Sequence, residues 1–577
     1  MRAELHSHLT DCVQALLDEA GADVPVPDFA LETPKNVGHG DFACNAALLL
    51  AKPLRRPPRE IAEALVLRIR ASEAPVERVE VAGPGFVNLW LADQRWRALL
   101  QRVLAEGARY GCSEAGRGLR AQVEFVSANP TGPLTLGHGR QAVLGDAIAR
   151  LLQATGHDVT REYYFNNGGR QMRMLGESVK ARYLEALGRA AAPPPEALAD
   201  REKAWVDEVD GLPVVFPRDG YQGDYITELA AALVAEHGEG LVDEPGDGVF
   251  RETAESQIFG EIRKTLSNLH IEFDVYSNER DLYENGGLER VLADLEAAGL
   301  LFEEDGARWL RSTRDGLERD RVLVRSSGEP TYLLPDLAYH RKKFERGFDV
   351  VIDVQGADHK EQFPYVLSGI RALGCPADKV ELVMHQFVTL TRGGEQVKQS
   401  TRRATYVTVD ELLEQVGGDV FRFFMVQRRA ESHLDFDLDL AETTDWKKNP
   451  AYTVQYAHAR TWAIERKARE QGVAIPTAES VDAEPLVLPE EIEILKKISE
   501  FPEVVARAAE SREPHHLCYY ARDLAGLWNP YQQDGVRHRV LSDDPALTQA
   551  RLGLALAVRI ALAGALDKLG IHAPERM

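Results

Sequence analysis

The sequence predicts a multidomain α/β protein with a parallel-sheet core, a small α/β domain before it and an all-helical domain after it. Strand–loop–helix units follow one another from Arg120 onward, a pattern typical of a parallel sheet with helices on both faces. The chain before them holds short alternating strands, and the chain beyond Asp435 has helical spacing. We expect domains at 1–112, 113–430 and 431–577, with a mostly helical insertion at about 165–300.

The N-terminal domain is predicted to begin with an amphipathic helix in MRAELHSHLTDCVQALLDEAG, which lacks the apolar core of a secretory signal. Residues 55–71 predict a second helix with two prolines near its start. VERVEVAGPGFVNLWLA alternates around a Gly/Pro turn and predicts two short strands. The Gly-rich stretch GARYGCSEAGRG separates this domain from the core.

In the core, QVEFVSAN predicts a strand and GHGRQAVLGDAIARLLQATG the helix that follows it. DVVIDVQ (349–355) and ELVMHQFVTL (381–390) predict further strands, each followed by a loop and a helix. The last domain contains strongly helical segments such as PEEIEILKKISEF and ALTQARLGLALAVRIALAGALDKLG. The core is therefore expected to be Rossmann-like.

Composition sets broad limits on function. The 577 residues carry a formal net charge of −23, which disfavours nucleic acid as a partner but leaves room for a local basic groove. We expect no membrane span and a cytoplasmic enzyme. The five scattered cysteines form no CxxC pair, so neither disulfides nor structural zinc is expected.

The first candidate site is SANPTGPLTLGHGR (127–140), where a strand ends, a Pro/Gly loop turns and a helix begins. Free N–H groups at a helix start favour phosphate, and His138 can donate to phosphate oxygens. Gly137 and Gly139 allow a ligand to approach the backbone closely. The alternative is a tight turn with a capping histidine.

Two further loops are candidates for nucleotide contacts. EQVKQSTRRATYVTVDELL places Lys398, Arg402 and Arg403 in a polar loop that could close on a polyphosphate, or could simply be a solvated charged loop. QGADHKEQF places Asp358 and His359 directly after a strand, where ligands bind in parallel sheets. Asp358 could instead be a helix N-cap.

A set of acidic and phenolic side chains suggests a cationic substrate. Glu124 lies on a strand that is expected to be buried, and Tyr332 and Asp336 follow in PTYLLPDLAYH. A carboxylate can hold a guanidinium in bidentate geometry that an ammonium cannot reproduce. These residues are candidates for binding such a group.

Together these motifs resemble one family. SANPTGPLTLGHGR is similar to the HIGH signature of class I aminoacyl-tRNA synthetases in its arginyl form, and VKQSTRRATYVTVDELL resembles the KMSKS loop. HGDFACNAALLLAKPLRRPPREIAEAL, VAGPGFVN, DRVLVRSSGEPTYLLPDLAYHRKKFERGFDVVIDVQGADHKEQF, NPAYTVQYAHAR and LDKLGIHAPERM resemble bacterial arginyl-tRNA synthetases in the same order. The likeness spans essentially the whole chain.

The resemblance implies an arginine–tRNA ligase that activates L-arginine with ATP and Mg²⁺ and then esterifies tRNA(Arg). It implies no metal site in the protein itself, no editing domain, and a monomer. It assigns catalysis to Thr135, His138, Lys398 and Arg402. It assigns ATP binding to Gly137, His138, Gly356, Asp358, His359 and Lys398. It assigns arginine binding to Glu124, Asn129, Tyr332 and Asp336.

The resemblance also implies two tRNA contacts. The N-terminal domain would contact the D-loop side of the tRNA, and the helical C-terminal domain would bind the anticodon. RNA bases commonly stack on aromatic side chains, although each such side chain could instead be packed in the core. The candidates for tRNA binding are Tyr452, Tyr456, Trp528, Tyr531 and Met577.

The sequence departs from the family pattern at two positions. Thr135 replaces the first histidine of HIGH, and Thr401 replaces the second lysine of KMSKS. Losing a charge-assisted contact to the transition state can lower the rate by ~10²–10³. Two alternatives therefore stay open: a degenerate paralogue that binds tRNA without activating arginine, and a class I synthetase for another amino acid.

Overall fold

The computed structural model describes residues 1–34, 36–200, 202–397 and 407–577. The N-terminal domain is an antiparallel sheet of strand order β1-β2-β4-β3, covered by helices, and the two expected strands around the Gly/Pro turn are confirmed as β3 and β4. Its elements are α1 (Arg2–Glu19), β1 (Leu31–Glu32), β2 (Phe42–Cys44), α2 (Ala46–Leu54), α3 (Pro58–Ala71), β3 (Arg78–Ala82), β4 (Phe86–Trp90) and α4 (Asp93–Glu106).

The central domain is built on a parallel sheet. Its first elements are β5 (Arg120–Glu124), α5 (Leu136–Ala154), β6 (Asp158–Phe165), α6 (Gly169–Ala186), α7 (Pro195–Ala199), β7 (Glu208–Val209), β8 (Leu212–Pro213), α8 (Asp224–His237), α9 (Arg251–Asn268) and β9 (Val275–Asn278). The next are α10 (Arg280–Glu284), α11 (Gly287–Ala297), β10 (Leu301–Glu304), β11 (Ala307–Leu310), β12 (Arg321–Val324), α12 (Leu333–Glu345) and β13 (Val350–Gly356).

The remaining elements are α13 (Phe363–Ala372), β14 (Val380–His385), β15 (Val388–Arg392), β16 (Glu395–Gln396), α14 (Val409–Val416), α15 (Gly418–Val426), β17 (Leu434–Asp437) and α16 (Leu438–Glu442). The core sheet has the order β14-β13-β5-β6-β9, and every neighbouring pair is parallel. This confirms the predicted parallel core. Because the strands are parallel, their carboxyl ends share one edge, where ligands bind in such sheets.

Two stretches of the central domain differ from the sequence prediction. The region of about 165–300, expected to be mostly helical, also contains β9, which pairs with β6 at the edge of the core sheet. ELVMHQFVTL, expected to be one strand, forms two: β14 ends at His385, and β15 begins at Val388 in a second sheet beside β17. The polar pair His385-Gln386 marks the break, but two polar residues within an apolar segment also fit a single continuous strand, so periodicity did not locate it.

The C-terminal domain is a helical bundle of α17 (Pro450–Glu470), α18 (Pro489–Ser499), α19 (Phe501–Ser511), α20 (His515–Gln533) and α21 (Pro545–Lys568). Helix α21 is long and apolar enough to cross a membrane by length and composition, but 72% of its most apolar window is buried inside the protein. It packs against α17 and α20 as a core helix does.

A buried guanidinium fixes this bundle to the central domain. Arg422 on α15 donates to the carbonyls of Leu269 (2.7 Å) and Leu569 (2.9 Å) and contacts Asp146 on α5. A Cβ at Gly570 (φ +66°) would lie 2.0 Å from the Arg422 guanidinium, so glycine is required there. The tail after α21 is therefore held against the same helix α5 that begins at the candidate site.

Candidate functional site

Carboxylates gather at one half of the sheet edge. Glu124, the last residue of β5, is buried and accepts hydrogen bonds from Ser127 Oγ (2.9 Å) and Lys343 Nζ (2.5 Å). Lys343, fully buried on α12, also donates to Asp353 at 2.6 Å. Burial alone would lower the pKa of Lys343, but Asp353 and Glu124 raise it, so the ammonium stays charged. The negative charge of Glu124 is thus partly neutralised by Lys343, a partner that the sequence analysis did not identify.

Asp336 and Glu279 complete this acidic cluster. Burial, together with the smaller effects of neighbouring Glu124 and Glu279, raises the pKa of Asp336 to about 7 against the opposing charge of His340. Its carboxylate accepts a hydrogen bond from Gln362 Nε2 at 2.9 Å. Glu279 follows β9, is buried, accepts from Tyr283 OH at 3.1 Å, and has a pKa raised by burial. Among the described residues, no cation pairs with either carboxylate.

Tyr164 shows that these acids surround one space. Burial raises the pKa of its hydroxyl well above the usual value, and the charges of Glu279, Asp336 and Glu124 raise it further. Three carboxylates around one phenol, with one lysine shared with Asp353, leave the pocket short of positive charge. The arrangement suits a cationic ligand with several N–H donors, and a guanidinium has five.

The other two predicted arginine-binding residues lie at the mouth of this cluster. Tyr332 caps α12 one turn before Asp336, is 62% exposed, and lines a cavity of about 530 Å³ together with Gln362. Asn129 is half-buried in the loop after β5, and its Nδ2 donates to Gln171 Oε1 at 2.6 Å. The structure therefore brings Glu124, Asp336 and Tyr332 to one place, with Asn129 held by α6.

The start of α5 forms the other half of the site. Thr135 is the N-cap; its backbone N–H donates to His138 Nδ1 (3.3 Å), and its hydroxyl lies 3.2 Å from the same nitrogen. Since Nδ1 accepts, the ring proton sits on Nε2, which can donate to a ligand. Burial lowers the pKa of His138 to about 4, against the opposing charge of Asp358, so the imidazole is neutral at pH 7. Thr135 thus orients His138 as well as capping the helix.

The two glycines of this motif have different roles. A Cβ at Gly137 would meet only Thr135 Oγ1, at 3.8 Å, so the backbone there is open to a ligand. A Cβ at Gly139 would lie 2.7 Å from the Phe421 ring and 2.9 Å from Val409. The expectation that Gly139 admits a ligand is therefore wrong: it admits the close packing of α15 and α14 against α5.

Gly356, Asp358 and His359 lie on the same side as α5, where β13 ends. A Cβ at Gly356 would be 2.5 Å from Asp358 Oδ1, so glycine makes room for that carboxylate. The side chains of Asp358 and His359 are largely exposed in a single 3₁₀ turn. Both side chains therefore stay candidates for the nucleotide side.

Two further residues of this half were not predicted. Arg140, fully buried on α5, donates to the carbonyls of Gln386 (2.8 Å), Arg429 (2.9 Å) and Ser432 (3.0 Å), and so ties α5 to the junction between β14 and β15. His385 ends β14 with a buried ring. The sequence signal for both was weak, since an isolated Arg or His on an apolar element has no distinctive spacing.

Lys398, Arg402, Arg403 and Thr401 lie outside the described residues. The described chain resumes at residue 407. Thr408, the N-cap of α14, forms an antiparallel β-bridge with Thr135, and Val409 N–H donates to Leu134 O at 2.9 Å. Residues 408 and 409 therefore lie directly beside the start of α5.

The predicted tRNA-binding side chains divide into two groups. Trp528 is fully buried, and Tyr531 is nearly so, with its hydroxyl bonded to Glu491 at 2.9 Å. Both are core residues, and the expectation that they stack on RNA is wrong because no base can reach their faces. Tyr452 and Tyr456 are half-buried, Tyr456 stacking on Trp446 with 4.3 Å between centroids, and Met577 is exposed. These three stay predictions.

One group of described side chains has the spacing of a metal site: Glu513, His515 and His516, at the start of α20. Glu513 already accepts from Arg429 Nε (2.8 Å) and lies 3.0 Å from His516. Its ligand atoms are thus engaged within the protein, and the expectation of no structural zinc stays a prediction.

Comparisons with known proteins cover the whole chain. The family model for the class I (R) tRNA synthetase catalytic domain matches residues 99–422, that for the arginyl tRNA synthetase N terminal domain matches 4–91, and that for the DALR anticodon binding domain matches 454–577. Arginine–tRNA ligase of Desulfotalea psychrophila is 46% identical over 100% of both chains, and that of Salinibacter ruber is 47% identical over 99% of this chain and 100% of its own. The solved Thermus thermophilus arginyl-tRNA synthetase superposes with a TM-score of 0.73 at 25% identity, covering 99% of each chain. The chain belongs to the arginyl-tRNA synthetase family of class I.

Proposed function

We propose that the protein is an active arginine–tRNA ligase, which converts ATP, L-arginine and tRNA(Arg) to arginyl-tRNA(Arg), AMP and diphosphate through an arginyl-adenylate. The observation that carries this proposal is the division of one sheet edge into two halves. An acidic cluster in which Lys343 pairs with Glu124, but no described cation pairs with Asp336 or Glu279, occupies the β5–β6–β9 half. An open helix start with a donor-ready histidine occupies the β5–β13–β14 half. A cationic amino acid and a nucleoside triphosphate would therefore bind next to each other at the carboxyl end of β5.

Arginine would be selected by charge and by hydrogen-bond count. Its guanidinium would donate to Asp336, Glu279 and Glu124, and would offset the burial and, to a lesser extent, the carboxylate repulsion that raise the pKa of Asp336. Citrulline has the same shape but no charge, and lysine cannot make paired planar contacts. Either would leave buried carboxylates unsatisfied, which supports discrimination of ~10⁴-fold without an editing step.

In the first step, a carboxylate oxygen of arginine attacks the α-phosphorus of ATP; a new P–O bond forms, and the bond to diphosphate breaks. This step needs positioning and charge stabilisation more than proton transfer. The neutral His138 would donate Nε2–H to a phosphate oxygen, the N–H groups at Gly137 would face the same oxygens, and Gly356, Asp358 and His359 would contact the nucleotide. Lys398 and Arg402 are proposed to stabilise the leaving diphosphate.

Mg²⁺ would enter with ATP, because this ion is usually held by substrate phosphates and one or two carboxylates. The exposed carboxylate of Asp358, beside the start of α5, fits such a role. When bound, the ion would offset phosphate charge.

In the second step, a terminal ribose hydroxyl of tRNA attacks the carbonyl carbon of the adenylate, and AMP leaves with the electron pair of the broken C–O bond. We propose that the N-terminal domain contacts the D-loop side of the tRNA, and that Tyr452, Tyr456 and Met577 contribute to anticodon binding. We propose that the reaction takes place in the cytoplasm and that the protein acts as a monomer. Light scattering after gel filtration would test the oligomeric state.

The proposal is tested by aminoacylation of tRNA(Arg) with purified protein and a matched pair of variants. Wild type should charge tRNA with arginine, and Glu279→Gln should raise the KM for arginine at least about tenfold, because it removes a charge-assisted bond. Glu272→Gln, seven residues earlier on the surface, should leave that KM unchanged. If wild type binds tRNA(Arg) but transfers no arginine, the degenerate-paralogue alternative replaces the proposal.

A further inference from the structure

His385 presents a buried ring nitrogen without a partner at the nucleotide half of the sheet edge. We propose that its Nε2 atom accepts a hydrogen bond from the adenosine half of ATP, either from the exocyclic amine of adenine or from a ribose hydroxyl. The inference rests on the proposed function, and it assigns His385 a role in nucleotide recognition.

The tautomer of His385 follows from its other nitrogen. Nδ1 lies 3.4 Å from the backbone oxygen of Gln386, and since a carbonyl can only accept, Nδ1 carries the proton. Arg140 donates to the same carbonyl at 2.8 Å and fixes its position. Nε2 is therefore an acceptor, and among the residues that the structure describes, no donor reaches it.

The unpartnered Nε2 atom of His385 indicates a ligand-binding role rather than a packing role. His385 is only 5% exposed, and a buried acceptor without a partner is costly, so such groups are rare unless a water or ligand satisfies them. Strands β13 and β14 are in register at Gly356 and His385. A Cβ at Gly356 would lie 4.0 Å from Nε2 and 2.5 Å from Asp358 Oδ1, so the ring nitrogen and that largely exposed carboxylate lie on either side of the space where the Gly356 side chain would be.

The order of the strands in the sheet indicates which part of the substrates can reach His385 Nε2. The acidic cluster lies on β5 and toward β9, whereas His385 ends β14, two strands to the other side of β5. At about 4.8 Å per strand, this is roughly 10 Å from the end of β5. The nucleoside half of ATP is the group that extends to that side when the phosphates lie at the start of α5.

The charge state of His385 limits which chemical groups of ATP can form a hydrogen bond with Nε2. Burial lowers the pKa of its imidazole to about 4, with smaller effects from Arg140 and His138 in the same direction and from Asp358 in the opposite one. The ring is neutral at pH 7 and can satisfy only a donor at Nε2. Phosphate oxygens and the ring nitrogens of adenine are acceptors, so the amine and the 2′ and 3′ hydroxyls are the groups of ATP that fit.

The test is calorimetric titration of the full-length protein with four nucleotides: ATP, purine riboside triphosphate, 2′-deoxy-ATP and 3′-deoxy-ATP. Wild type should bind one of the three analogues about tenfold more weakly than ATP, the scale of one hydrogen bond. His385→Ala should bind ATP about as weakly as wild type binds that analogue, and should not distinguish the two. His385→Gln, whose amide oxygen can take the place of Nε2, should restore part of the difference.

Each outcome is decisive. Equal binding of all four nucleotides by wild type overturns the proposal without any variant, and so does an unchanged analogue ratio in His385→Ala. His458→Ala is the matched control, since His458 is also buried with Nδ1 bonded to a carbonyl, that of Pro574. It should lower stability and leave the analogue ratio unchanged. Because titration needs neither arginine nor tRNA, a protein that discriminates nucleotides but never charges tRNA would overturn the proposed function alone.

Discussion

Replacing Asp336 by asparagine is expected to remove most of the pH dependence of arginine binding between pH 6 and pH 8. In the arginine-free protein, burial and the neighbouring carboxylates raise the pKa of Asp336 to about 7. A guanidinium binds the ionised carboxylate, so affinity follows the ionised fraction. That fraction is about 0.9 at pH 8 and about 0.1 at pH 6, and wild type should lose about tenfold in affinity over this range.

Other titratable groups near Asp336 determine what else can contribute to the pH dependence of arginine affinity. Burial also raises the pKa of Glu279. His138 and His385, with pKa values of about 4, stay neutral throughout the range. Asp336→Asn should therefore bind arginine at least about tenfold more weakly than wild type at pH 8 and vary little with pH.

The assay is titration of arginine at pH 6, 7 and 8, with wild type and Asp336→Asn compared at constant ionic strength. A flat wild-type profile, or a variant with the wild-type slope, would refute the reasoning about this pocket. The same pKa shift has a stability consequence of known sign. Since the folded-state pKa lies above the unfolded value, the contribution of Asp336 is lost as pH rises through 7. Asp336→Asn should therefore raise the stability of the arginine-free protein at pH 8.

Three further predictions concern other parts of the site. Lys343→Met should destabilise the protein by about 3–5 kcal/mol in denaturant titrations, because it strands buried carboxylates; a change below 1 kcal/mol would contradict the burial of that charge network. Gly139→Ala should cost about 1–3 kcal/mol through overpacking, whereas Gly137→Ala should leave stability within about 1 kcal/mol and weaken ATP binding; the reverse pattern would exchange the roles of the two glycines. Trp528→Ala should lower stability by about 3–5 kcal/mol, while Tyr456→Ala, at a half-buried position, should cost less stability and raise the KM for tRNA; equal effects on stability would argue against placing only Trp528 in the core.

The sequence predicted the elements that local spacing encodes. The turn from β5 into α5 was predictable because a strand, a Pro/Gly loop and a capped amphipathic helix follow one another within 127–140. The all-helical C-terminal domain followed from the 3.6-residue period. The edge strand β9 was not distinguishable from its helical surroundings, because a four-residue strand carries too few positions to show alternation.

The sequence indicates candidate site residues that lie close to a motif in the chain. It does not indicate residues that are distant in sequence and brought to the site by the fold. Lys343 is 219 residues from Glu124 in sequence, so nothing local pairs the two. Glu279 follows a short strand whose place in the sheet could not be inferred. For Trp528 and Tyr531 the sequence leaves both RNA stacking and core packing open, because an aromatic residue on a helix gives no sign of which face meets the bundle core; the structure shows core packing.

The meeting of an acidic pocket and a nucleotide site over the end of β5 is tested most directly by ATP–diphosphate exchange. The purified protein would be assayed with arginine, lysine or citrulline, each with and without tRNA(Arg). We predict exchange with arginine and none above background with citrulline or lysine, in the presence of tRNA. No exchange with arginine under either condition, from a protein that still binds tRNA(Arg), would contradict the account.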